Sequence, residues 1–210
     1  YLPSHLTEEQ AEAIVHRGGP LLIIAGPGSG KTELLYRTLN ELGKSHRAAA
    51  ITGDLATEND ARRLAASGAP ARQILTGTMC HLEANMVAGA LQGWDLDELD
   101  FLFIENVGNL VCPGDFDLGE DVRVMLVATT EGEDKPLKYP TLINTCDVVV
   151  INKMDLAEAV GCDVALLESN IRKVRPGARV FKLSARTGEG VDAWIRYLLE
   201  RFQAKCAARA

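Results

Sequence analysis

No apolar run in this sequence approaches the ~20 residues that a helix needs to cross a bilayer, so no membrane contact is expected. Positive charge is in deficit. Against 29 Asp and Glu stand only 22 Lys and Arg, a formal net charge of -7, whereas a nucleic-acid binder usually displays a basic face. The five cysteines (Cys80, Cys112, Cys146, Cys162 and Cys206) are odd in number and lack the rhythm of a disulfide framework. The first residues show no basic-then-apolar signal pattern, so free thiols in a reducing cytoplasm are the expectation. The chain opens on Tyr1 and not on methionine, as a trimmed chain would. There is no internal repeat and no low-complexity linker. What remains is a soluble globular composition, 47% hydrophobic and 24% charged, in 210 residues, enough for one ordinary core.

Short apolar, β-rich runs alternate with longer helical patterns. Strands are expected at 21–25, 48–52, 101–105, 122–128, 148–152 and 179–183, several of them apolar on both faces. Helices are expected at 31–42, 59–67, 81–91, 137–146, 163–174 and 191–204. Continuous apolar strands separated by helices predict an α/β fold: a doubly wound, mostly parallel sheet with helices on both faces. An amphipathic stretch at 7–16, with Thr7 and Gln10 as a capping box, makes residues 1–20 an N-terminal helical segment ahead of a domain at 21–210.

The first strand runs into AGPGSGKT, Ala25 to Thr32, and then a helix. This is the strand, glycine-rich turn and helix of a P-loop, although Ala25 holds the place usually given to the first glycine. Backbone N–H groups of Gly26, Pro27's neighbours, Gly28, Ser29 and Gly30 can turn inward around phosphates at a helix N-terminus that extends through Glu33. Lys31 is expected at the β- and γ-phosphates and Thr32 at Mg²⁺. The chain is therefore expected to bind a nucleoside triphosphate.

NKMD, Asn152 to Asp155, ends a later strand. A carboxylate there can accept from both N1–H and the 2-amino group of guanine, a pair of donors that adenine lacks. Asn152 would brace the loop, and the Lys153 stem would lie over the purine. SARTGEG, Ser184 to Gly190, is similar to the GTPase loop whose Ser-Ala backbone meets the guanine carbonyl, here Ser184 and Ala185. ENVG, Glu105 to Gly108, stands where GTPases usually carry DxxG; it assigns Glu105 to Mg²⁺ and the Gly108 amide to the γ-phosphate. Asp54, after the second strand, is a candidate switch carboxylate for Mg²⁺, with a helix cap as the alternative role. The catalytic set is thus Lys31, Thr32, Asp54, Glu105 and Gly108. The adjacent pair Cys80-His81 is open, on its own, to metal, redox or packing roles.

Longer strings narrow the choice. GDLATENDA, TGTMCHLEANMV, FLFIENVGNLVCPGDFDLGE, TEGEDKPLKYP and VVVINKMDL, within residues 49–156, resemble the hydrogenase nickel-incorporation GTPases, the HypB family. The resemblance implies a G-domain metal site at Cys80, His81 and Cys112. Two thiolates and an imidazole suit Ni²⁺ or Zn²⁺ and suit Mg²⁺ poorly, and three protein ligands leave a position open, as cargo needs. It also implies a small nickel- and zinc-binding accessory protein as partner and an apo-hydrogenase as client. A GTP-dependent homodimer is expected, with slow hydrolysis, because no obvious glutamine positions the attacking water and no arginine finger is identifiable. The related urease-accessory GTPases would show a cysteine-proline-histidine cluster, which is absent. Cys146 and Cys162 are expected to pack at helix ends and Cys206 to sit in a frayed tail.

The sequence departs from the family in three places. Neither an N-terminal cysteine motif nor a histidine-rich tract is present; only His5 and His16 precede the P-loop. Thr78 and Met79 stand where glycines are expected. The opening, with Gln10 ahead of the P-loop, resembles superfamily 1 helicases, in which such a glutamine reads adenine. An ATP-driven motor fragment is opposed by the acidic charge, by NKMD and by the lack of later helicase motifs. A GTP-gated interaction module without a working metal site is the other alternative. Lys135 and Lys138 are open between a phosphate contact, a cross-dimer contact and a solvated helix start.

Overall fold

The computed structural model describes residues 20–55, 59–112 and 116–209. The amphipathic stretch at 7–16, with Thr7 and Gln10, lies outside them. Among the described residues the chain runs β1 (Pro20–Ala25), α1 (Lys31–Leu42), β2 (Ala48–Asp54), α2 (Asn59–Ala65), β3 (Ala71–Leu75), α3 (Ala84–Leu91), β4 (Phe101–Glu105) and β5 (Val122–Ala128). It continues through α4 (Lys135–Lys138), α5 (Pro140–Thr145), β6 (Val148–Asn152), α6 (Val164–Val174), β7 (Arg179–Lys182) and α7 (Val191–Arg209). The strands form one seven-stranded sheet in the order β3-β2-β4-β1-β5-β6-β7. Every neighbouring pair is parallel, so "mostly parallel" becomes wholly parallel.

Strand alternation builds two cores. In β4, Phe101 and Phe103 join a layer with Leu34, Leu35, Leu39 and Trp194, while Leu102 and Ile104 join the opposite layer with Val87, Leu91, Ile143 and Leu167. Burying each such side chain contributes roughly 1.5–3 kcal/mol, which explains why the central strands are apolar on both faces. Trp194 brings its polar atom along: its indole N–H donates to Thr38 Oγ1 at 3.0 Å. β1 lies between β4 and β5; the chain winds from it first to one side, through β2, β3 and β4, and then crosses over it once to β5 on the other. In such sheets the ligand crevice lies outside the carboxyl ends of the strands.

Four elements differ from the sequence expectation. β3 was missed because ARQIL is an edge strand, only half-buried and without an apolar run. The helix expected at 137–146 is two short helices. Pro140 cannot donate its backbone N–H and pushes Tyr139 out of the α region, to φ -125 and ψ 57. The helix expected from residue 81 starts at Ala84, leaving Cys80, His81 and Leu82 in the turn before it. α7 continues to Arg209, so the exposed Cys206 sits on a helix and not in a frayed tail. Among the described residues no helix is long and apolar enough to cross a membrane.

Candidate nucleotide and metal site

The P-loop, Gly26 to Gly30, joins β1 to α1 at the carboxyl edge of the sheet. Gly30 requires its lack of a side chain. Its φ is +94, and a Cβ there would lie 2.5 Å from Asn152 Nδ2. Pro27 and Gly28 face solvent, whereas Ser29 and Lys31 are buried. Glu105, at the end of β4, sits directly behind the loop. Thr32 Oγ1 donates to Glu105 Oε1 at 2.8 Å, and Lys31 Nζ lies 3.8 Å from the same oxygen. The other carboxylate oxygen, Oε2, is buried without a hydrogen-bond partner.

Burial pushes the Glu105 carboxyl up to about 7, against the opposing pull of Lys31 and the Thr32 hydroxyl. A proton held more tightly in the folded than in the unfolded state stabilises the fold at low pH. That stability is lost as pH rises from the ordinary carboxylate value through 7. Glu105→Gln is therefore expected to stabilise the ligand-free protein at pH 8, by on the order of 1–3 kcal/mol with Lys31 offsetting part of the gain. The advantage should vanish by pH 5. Urea melts at the two pH values measure it, and an equal difference at both would remove the burial argument.

The NKMD and SARTGEG loops are locked to the P-loop through one side chain. Asn152 Nδ2 donates to Ser29 O at 2.9 Å, and its Oδ1 accepts from Ala185 N at 2.9 Å. Asp155 is held by the Ser184 hydroxyl, which donates to Oδ1 at 2.6 Å. Ser184 N donates to Glu189 O at 2.9 Å, so both amides of the Ser-Ala pair already have protein acceptors. A guanine carbonyl would have to share the Ala185 donor. Lys153 adopts φ +61, and Thr129 Oγ1 donates to its carbonyl at 2.8 Å, fixing the turn that presents Asp155.

The segment after β4 covers the P-loop. A Cβ on Gly108 would lie 3.2 Å from Pro27 Cα, and one on Gly26 would lie 3.3 Å from Leu110 Cδ1. Four residues past Gly108 this segment delivers Cys112. Its Sγ is 2.8 Å from Cys80 Sγ, and Cys80 Sγ is 3.8 Å from His81 Nδ1. The three ligand atoms lie within 4.8 Å of one another, and all three residues are half-buried. The His81 ring stacks on Phe116 at 3.8 Å, and Phe116 O accepts from Arg123 at 2.8 Å. His81 Nε2 lies 3.6 Å from Glu83 Oε1, the kind of carboxylate neighbour that orients a metal-ligating imidazole.

The thiol of Cys80 holds that of Cys112 above its usual range, with burial adding to the effect, so a cation would have to displace a proton here. Two sulfurs at about 2.3 Å from one tetrahedral ion stand about 3.8 Å apart, so uptake would spread this pair.

Asp54 ends β2 beside Glu105, whose register partner is Thr52. Its Oδ1 accepts from Leu55 N at 2.6 Å. Glu33 pairs with Arg37 Nε at 3.7 Å and with Arg63. Lys135 Nζ is 3.2 Å from Glu131, which stands against Gly26, while Lys138 pairs at the surface with Asp134 at 2.6 Å. Cys146 is buried at the end of α5, its thiol pushed up to about 12 by desolvation, and Cys162 precedes α6. Thr76, Asn106, Glu131 and Phe116 also contact this region, outside the residues assigned from the motifs. None of the four carries a sequence signal for its role; Asn106 lies inside the ENVG string, where only Glu105 and Gly108 were assigned.

The comparisons with known proteins agree with this fold. The profile of the CobW/HypB/UreG nucleotide-binding domain matches residues 20–182. The hydrogenase maturation factor HypB of Azotobacter vinelandii is 47% identical over 189 residues, which cover 90% of this chain and 62% of that protein. HypB of Escherichia coli K12 is 47% identical over 178 residues, 85% of this chain and 61% of that protein. This chain thus spans about three fifths of the length of these relatives, at 62% and 61%. The crystal structure of HypB from Archaeoglobus fulgidus superposes with a TM-score of 0.84 at 39% identity, covering 93% of this chain and 96% of that one. HypB from Helicobacter pylori in complex with nickel gives a TM-score of 0.85 at 37% identity, covering 94% and 91%. The parallel sheet, the P-loop at its carboxyl edge and these relatives together show that the chain belongs to the CobW/HypB/UreG nucleotide-binding domain family.

Proposed function

We propose that this chain is a GTP-gated nickel-handling module for hydrogenase maturation. One observation carries the reading. The segment after β4, whose Gly108 and Leu110 lie against the P-loop, also carries Cys112 to the Cys80-His81 pair. A γ-phosphate bound at the Gly108 amide would therefore act on a stretch of backbone that holds a soft metal ligand four residues on. Lys31 and the P-loop amides would hold the phosphates. Thr32, Asp54 and Glu105 would hold Mg²⁺, which would neutralise negative charge on the phosphates. The orphaned Glu105 Oε2 fits that assignment. Asp155 would read guanine.

Cys80, His81 and Cys112 would bind Ni²⁺ or Zn²⁺ as cargo, and the open fourth position would allow transfer. Hydrolysis would be slow, since no glutamine to position water and no arginine finger is identified among the described residues. GTP would favour a homodimer, and loss of the γ-phosphate would relax the loop and change metal affinity. The nickel would pass to a small nickel- and zinc-binding accessory protein and on to an apo-hydrogenase, in a reducing cytoplasmic setting that keeps both thiols free.

A Ni²⁺ titration with GDP and with a non-hydrolysable GTP analogue, read beside the oligomeric state, tests this. The expected result is stoichiometric nickel binding whose affinity differs between the two nucleotides, with a dimer favoured by the analogue. Nickel binding indifferent to nucleotide would reduce the chain to a GTP switch with an uncoupled metal site.

A further inference from the structure

Two side chains belonging to neither the nucleotide set nor the metal set tie the one to the other. Thr76 is 7% exposed and lies between β3 and the Cys80-His81 turn. Its backbone N–H donates to Asp54 O at 2.9 Å, and its hydroxyl donates to Met79 O at 2.7 Å, next to Cys80. Asn106 is 1% exposed and follows Glu105. Its Oδ1 accepts from Val107 N at 2.8 Å and from Leu82 N at 2.9 Å, next to His81. The pair is therefore clamped on both sides, by Met79 to the end of β2 and by Leu82 to the turn that ends at Gly108. The Leu82 side chain, fully buried, fills the space over Gly53, where even a Cβ would come within 2.8 Å of it.

We propose that Thr76 and Asn106 are positioning residues that transmit the nucleotide state to the Cys80-His81 turn. This rests on the GTP-gated nickel reading above. In a dry setting both clamps are short hydrogen bonds, so a displacement of Asp54 or of the Glu105–Gly108 turn must either carry the metal turn with it or leave buried polar groups unpaired. The clamps thus move Cys80 and His81, while the covalent link from Gly108 moves Cys112. The relative placement of the three ligands follows both routes. Asn106 Nδ2 is buried without a partner, so a second arrangement that brings an acceptor to it would be favoured on that account. That is what a two-position element requires.

The test is a competitive Ni²⁺ titration of the 210-residue chain in its GDP and GTP-analogue states, for wild type, Asn106→Ala, Thr76→Val and the double variant. Wild type should show an affinity ratio between the states in the range of roughly 5- to 150-fold seen for coupled sites. Each single variant should reduce that ratio severalfold, and the double variant should bring it to about one, while affinity for the analogue in the absence of metal stays within about twofold. A merely structural role would weaken binding in both states alike and leave the ratio intact. Folded variants that keep the wild-type ratio overturn the proposal but not the reading beneath it. A wild-type ratio of one overturns both. Should Asn106→Ala fail to give a cooperative melt, Thr76→Val decides the matter, since it keeps the side-chain shape and deletes one hydroxyl.

Discussion

Cys112→Ala should weaken Ni²⁺ binding by more than roughly 100-fold while leaving GTP affinity unchanged. Losing an outer-shell partner typically costs 10- to 100-fold in metal affinity, and a directly coordinating thiolate should cost more. Cys112 Sγ is the atom that closes the cluster over Cys80 and His81, at 2.8 Å from Cys80 Sγ. It sits at the end of the segment over the P-loop, so its truncation would remove a proposed ligand atom without touching the P-loop itself. Cys206→Ala is the control, since that thiol is exposed on α7, remote in sequence from the cluster. Titration against a chromophoric chelator reads the affinity, and thiolate-to-metal charge-transfer absorption reads the bond itself. Because each thiol must give up its proton, wild-type affinity should also rise with pH, more steeply than in the variant. Superimposable titrations for wild type and Cys112→Ala would end the ligand assignment.

The difference between what the sequence disclosed and what it hid follows from distance along the chain. AGPGSGKT and NKMD are consecutive residues whose backbone geometry is set locally, so the P-loop and the NKMD turn could be located before any fold was known. The central strands β4, β5 and β6 were legible because burial on both faces demands unbroken apolar runs. β3 was not, because an edge strand satisfies only one side of its hydrogen bonding and Arg72 can lie over Trp94 at 4.9 Å without penalty. The break at Pro140 was visible in the sequence, yet the apolar spacing outvoted it.

At the site, Cys80 and Cys112 are 32 residues apart, and no periodicity joins them; a resemblance did. Thr76 and Asn106 act through backbone atoms of Asp54, Met79 and Leu82, and backbone partners leave no mark on residue identity. Such tethers have to be seen in three dimensions.

The base assignment predicts the larger selectivity change. Asp155→Asn should lower the preference for GTP over xanthosine triphosphate by roughly three to five orders of magnitude, because a buried polar pairing that is left unmade discriminates by 10⁴–10⁵. Guanine presents two donors to a carboxylate, and an amide offers one acceptor and a donor that collides with them. Xanthine carries an oxygen in place of the 2-amino group, which matches the amide. The protein side of the exchange is undisturbed. Ser184 Oγ donates to Asp155 Oδ1 at 2.6 Å, and an asparagine oxygen can take that bond unchanged. Asn152 continues to hold Ser29 O and Ala185 N, so the P-loop and the base loop keep their register. Competition between labelled GTP and xanthosine triphosphate measures the switch, with Mg²⁺ held constant. If the variant binds GTP as tightly as wild type and ignores xanthine, Asp155 is a structural anchor for Ser184 and the base is read elsewhere. Since Lys31 and Thr32 are untouched, phosphate binding should survive in either case, so loss of all nucleotides would point to misfolding and not to specificity.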